Sequence, residues 1–123
     1  MAPIIGFFEQ FKGADTVLLS ITTEEGRDLA ARLQDFAASN AVAMEIDARS
    51  VPGHETRLVA VREAQTARGR GEYRWLCGPA ELGNIIDKLK SVINVAEGHQ
   101  YFELVASKVQ LMISVGEYRA KDV

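Results

Sequence analysis

Two kinds of hydrophobic periodicity alternate along this chain, and their order does more than any other feature to restrict its fold. Apolar residues at every second position mark a strand with one buried face, and apolar residues at helical spacing mark a helix with one buried stripe. Thr16 to Ile21 is a β-branched run that places Val17, Leu19 and Ile21 on one face. Thr22, Thr23, Glu24 and Glu25 then spell a capping box, so a helix starts there and runs to about Ser39, with Leu29, Leu33, Phe36 and Ala37 on its apolar face. Val42, Met44 and Ile46 alternate with Ala43, Glu45 and Asp47 as a second strand. A third, Arg57 to Ala64, carries Val59 and Val61 inward. The order then recurs. Tyr73, Trp75 and Cys77 alternate, Pro79 opens a helix, and Leu82, Ile85, Ile86, Leu89, Val92, Ile93 and Ala96 keep helical spacing up to Gly98, placed as a stop. Two strands finish the chain, one with Phe102 and Leu104 inward and one with Val109, Leu111, Ile113 and Val115. Val105 to Lys108 is their hairpin connection.

The pattern predicts a single α+β domain over residues 1–123, built from two successive β-α-β-β units at 16–64 and 72–118 behind an aromatic N-terminal segment, 1–15. Each helix has one apolar face, so the expected architecture is a mixed, mainly antiparallel sheet of about six strands with two helices on one face. The halves also align as a pseudo-repeat. An offset of 56 superimposes the first strand and helix on their counterparts, 58 carries Met44 and Ile46 onto Phe102 and Leu104, and 52 carries Val59 and Val61 onto Leu111 and Ile113.

Charge and cysteine content narrow the function classes. Seventeen acidic against 14 basic side chains leave a formal charge of −3, which disfavours general nucleic-acid binding. One cysteine, Cys77, rules out an intramolecular disulfide framework. The first residues lack the basic and long apolar regions of a signal peptide, and no run reaches the length of a membrane span, so the expectation is a cytoplasmic protein.

No residues reach the standard of a catalytic, cofactor or metal signature. His54 and His99 have no Cys, His, Asp or Glu at ligand spacing. Cys77 precedes a helix N-terminus, where a thiolate would be favoured, but it shares the inward face of its strand with Tyr73 and Trp75, which favours an inert thiol. Arg68 to Arg74 mixes basic and aromatic residues, a composition also found in single-strand nucleic-acid binders.

What remains is surface. The sheet face turned away from the helices is expected to carry Leu18, Leu58, Arg62, Arg74, Leu76, Tyr101 and Met112, a mixture of apolar and charged groups typical of an interface. Phe7, Phe8 and Phe11 would share one side of a short helical turn and add an aromatic docking element. The expected role is a non-catalytic protein-interaction module acting as a homo-oligomer or on another protein. Toxin-neutralising immunity proteins offer an analogy of size and charge alone. The alternative is a small-molecule binding domain or enzyme in which Arg62 and Arg74 recognise an anion and Tyr101, Glu103 or His99 supplies polar contacts or proton transfer. A weaker alternative is nucleic-acid binding through the Arg68 to Arg74 segment.

Overall fold

The computed structural model describes residues 3–11, 13–53, 55–63, 71–95, 97–105 and 107–116. The elements are β1 (Ile4–Phe11), β2 (Ala14–Ile21), α1 (Thr23–Ala38), β3 (Ala43–Glu45), β4 (Arg49–Ser50), β5 (Arg57–Val61), β6 (Glu72–Leu76), α2 (Pro79–Ile93), β7 (Gly98–Glu103) and β8 (Gln110–Val115). The class is α+β, and among the described residues there are two helices, a five-stranded mixed sheet in the order β4-β1-β2-β8-β7 and a smaller sheet in the order β3-β5-β6.

Each helix forms for the reason its sequence suggests. Thr22 accepts from the Glu25 amide at 3.1 Å and Glu25 accepts from the Thr22 amide at 2.9 Å, closing the capping box at the start of α1. Pro79 occupies the first turn of α2, where its missing amide costs nothing. The buried stripes are Leu29, Leu33 and Phe36 on α1, and Ile85, Leu89, Val92 and Ile93 on α2. The helix ends differ from expectation at Gly98: α2 stops at Ile93, and Gly98, at φ +135°, instead opens β7.

The two β-α-β-β runs interlock. β2 opens the first run and pairs in parallel with β8, the last strand of the second. β6 opens the second run and pairs in parallel with β5, the last strand of the first. The remaining strands form antiparallel pairs β3–β5 and β7–β8. Parallel pairings are therefore as frequent as antiparallel ones among the described strands, rather than a minority.

The ladders also correct the alignment of the halves. Val17 lies opposite Leu111, and its counterpart Tyr73 lies opposite Leu58, so Leu58 rather than Val59 corresponds to Leu111, an offset of 53. Ile46 donates its amide to Leu58, as Phe102 pairs with Leu111, so the offset of 56 persists from β2 through β3. Leu58 and Ala60 consequently enter the main core, while Val59 and Val61 are buried on the opposite side of the small sheet. A one-residue change of register exchanges the two faces of a strand. Val42, expected inward, is 70% exposed because β3 begins only at Ala43.

The N-terminal aromatics are not on a helical turn. They lie in β1, antiparallel to β2, with an irregularity between Phe8 and Phe11 where Gln10 adopts φ +51°. The ladder partner wins over the helix-like spacing because it satisfies the backbone along the strand. Phe7 faces the core and stacks on Tyr73 at 6.0 Å, with ring planes 7° apart, while Phe8 points to the other face and meets Phe11 at 5.9 Å. Trp75 meets Phe102 edge-on at 5.1 Å. These two aromatic contacts join the small sheet to the large one around a single core.

Candidate functional site

The side chains expected to form a partner surface are brought together only in part: Leu18, Met112 and Tyr101 lie in one cross-strand row over β2, β8 and β7, and the others lie elsewhere. Leu18, Leu58 and Met112 are buried, so they present nothing to a partner in this conformation. Leu58 is lost through the register change in β5, whereas Leu18 and Met112 sit opposite each other on the adjacent interior strands β2 and β8 of the large sheet. Phe7 is packed against the core, Phe8 and Phe11 are half-buried together on β1, and Leu76 and Tyr101 are half-buried on β6 and β7.

The two arginines proposed to read an anion are engaged inside the chain. Arg62 Nε donates to Ala41 O at 3.1 Å, Nη1 to Ala37 O at 3.0 Å, and Nη2 to Phe36 O at 2.7 Å and to Ser39 O. It also lies over the Phe36 ring, 5.3 Å from the centroid. α1 has no basic residue in its last turn, so Arg62, just past the end of β5, supplies the positive charge that its terminal carbonyls attract. Arg74 is tied to Glu72, Nη2 to Oε2 at 3.0 Å, and Arg57 bridges Glu72 and Glu45 at 3.2 Å each.

Cys77 is fully buried, and burial first, then the Glu81 carboxylate, push its thiol far above the ordinary value, so it remains protonated. His99 lies in β7 with its ring 5.4 Å from that of Tyr101. His54 and the loop arginines Arg68 and Arg70 lie outside the described residues. Among the described residues no group of three or more His, Cys, Asp or Glu could hold a metal ion, and no helix is long and apolar enough to cross a membrane.

A cleft that sequence reading did not single out combines shape with chemistry. It measures about 320 Å³ and opens between α1, the end of β2, Pro3 and the segment Met44–Asp47. Leu19, Ile21, Leu29 and Ile46 form its apolar floor, and each belongs to the main core. Four carboxylates, Glu25, Asp28, Glu45 and Asp47, and one guanidinium, Arg32, line it as well. Positions 25, 28, 29 and 32 fall on one side of a helix, so α1 delivers three charges and a leucine together. β3 and its continuation alternate, turning Ile46 into the core and leaving Glu45 and Asp47 exposed.

The charges differ in their freedom. Glu25 is committed to the capping box and Glu45 to Arg57. Among the described residues no hydrogen bond or ion pair engages the carboxylates of Asp28 and Asp47 or the guanidinium of Arg32. The lining thus has an excess of negative charge over an apolar floor, and two of its carboxylates are available to a ligand. The alternation of Glu45 and Asp47 around Ile46 and the 25/28/32 spacing were both present in the sequence, but only the tertiary contact brings the two sets together. No family model, curated protein or solved structure matches the chain.

Proposed function

We propose that this protein is a non-catalytic binding module that receives a basic, apolar-flanked segment of another protein in the cleft between α1 and Met44–Asp47. The observation that carries this reading is the pairing of Asp28 and Asp47, neither held by an internal partner, with the Leu19, Ile21, Leu29 and Ile46 floor. An alkyl stem of lysine or arginine would cover that floor while its charged end reaches the carboxylates. Arg32 at the same rim would orient a backbone carbonyl or an acidic neighbour on the partner. The lone, buried Cys77 suits a reducing compartment, and we place the protein in the cytoplasm.

Calorimetric titration of the full chain with the peptide acetyl-Leu-Arg-Leu-Lys-amide tests this, with acetyl-Leu-Glu-Leu-Glu-amide as control. Binding of the basic peptide alone is expected. A D28N/D47N variant should weaken it about tenfold at low salt, since two rim pairs of roughly 0.7 kcal/mol each amount to that factor. Equal binding of both peptides, or unchanged affinity in the variant, would sink the reading.

A further inference from the structure

The large groove beside α2 occupies the position in the second half that the acidic cleft occupies in the first. It has a volume of about 760 Å³ and lies between β6, α2 and β7. The offset of 56 that relates β2, α1 and β3 to β6, α2 and β7 maps one lining onto the other. The floor residues Leu19, Leu29 and Ile46 correspond to Trp75, Ile85 and Phe102. The charged residues Glu25, Arg32 and Asp47 correspond to Glu81, Lys88 and Glu103, with the sign kept at all three positions. Two further positions change, Asp28 to Asn84 and Glu45 to Tyr101, which leaves two carboxylates against one ammonium in the groove.

The interlocked fold supplies the reason for the likeness. In both halves a helix crosses from an opening strand to an antiparallel pair, and a cavity is left where the helix, the opening strand and the next strand diverge. The difference in size has an equally local origin. β2 is flanked by β1, and Pro3 at the start of that segment walls the first cleft. Among the described strands β6 has no such neighbour and is an edge strand, with the Val105 amide donating to Arg74 O at 2.8 Å. Lys88 donates to the carbonyl of Tyr101 and sits 4.4 Å from the centre of the Phe102 ring, so part of its charge is already used within the wall.

We infer that this groove is a second binding site for the same class of ligand, so that one chain holds two basic, apolar-flanked segments at pseudo-equivalent positions. The inference rests on the reading of the first cleft. Glu81 and Glu103 receive the cationic group and Trp75, Ile85 and Phe102 its apolar body. With fewer carboxylates, the groove is the weaker site. A partner with two such segments would gain from binding both at once.

Titrating the ¹⁵N-labelled full chain with acetyl-Leu-Arg-Leu-Lys-amide and following its amide resonances tests the inference. Two separable sets of shifts are expected, one at Asp28 and Asp47 and one at Asn84, Tyr101 and Glu103, the second saturating at several-fold higher peptide concentration. Asp47→Lys should abolish the first set alone and Glu103→Lys the second alone; both side chains are exposed. Shifts confined to the first set, or a second set that survives Glu103→Lys, would overturn the second site and leave the first standing. No shifts in either set would remove both.

Discussion

Cys77 and Arg62 show how position in the fold decides what a reactive or charged side chain does. The Cys77 thiol lies among apolar neighbours and beside Glu81, and both raise its affinity for the proton above the ordinary value of 9.0. The unfolded chain releases this proton near that value while the folded chain keeps it, so the group's contribution is complete below pH 9 and is lost as pH rises. The expected slope is about 1.4 kcal/mol per pH unit above the unfolded value. Urea melts of the native chain and a Cys77→Ala variant at pH 8 to 10.5 (about the accessible range for this linkage) should show a steeper fall for the native chain; parallel curves would contradict the assignment. Arg62 is legible as a basic residue at a strand end, but its service to α1 is invisible in sequence because 21 to 26 positions separate donor from acceptors. Arg62→Ala should cost about 2 kcal/mol, the usual scale for losing charged hydrogen bonds that water partly replaces. Arg62→Lys should recover less than half in the same chemical melt, since one ammonium cannot reach carbonyls spread over Phe36, Ala37, Ser39 and Ala41.

At the scale of elements, the helices were the most legible parts. The capping box and the proline at the first turn are local chemistry, satisfied by residues within four positions of each other. Helix packing adds a constraint that local chemistry does not contain. A Cβ at Gly26 would lie 2.9 Å from Ile93 Cγ1 and 3.3 Å from Ile21 Cδ1, so the start of α1 is pressed onto the end of α2 and onto β2. Alanine would gain about 1 kcal/mol of helix propensity. Overpacking at a buried site costs about 1–3 kcal/mol. Gly26→Ala is therefore expected to lower stability by about 1 kcal/mol, and pairing it with Ile93→Ala should convert it to a neutral or stabilising change relative to Ile93→Ala alone. A double-mutant cycle by thermal or urea unfolding measures this coupling. Strands were less legible. β1 was missed because Ile4, Ile5, Phe7 and Phe8 place apolar groups on both faces, so no period-two signal survives. β5 was found but turned over, because Leu58, Val59, Ala60 and Val61 are all buried and such a run has no apparent inside.

For the whole molecule, the join between the two sheets is the feature most open to test. Phe7 reaches from β1 to stack on Tyr73 in β6, so truncating it should loosen that join rather than expose a dimer surface. Phe7→Ala is expected to lower stability by about 2 kcal/mol, below the 3–5 typical of a fully buried phenylalanine. Light scattering alongside the melt would separate the two roles, because loss of a dimer without loss of stability would return Phe7 to the surface role. What the sequence by itself determined was the class of fold: two amphipathic helices, a succession of half-buried strands and the likeness between the halves follow from side-chain periodicity, which is a property of neighbours along the chain. Only the tertiary structure decided the division into two sheets, the exchange by which each half completes the other's sheet, and the meeting of Asp28 with Asp47 over the Leu29 and Ile46 floor. Those depend on which strand finds which partner, and strand pairing is set by long-range hydrogen bonds and packing whose energies no local pattern contains.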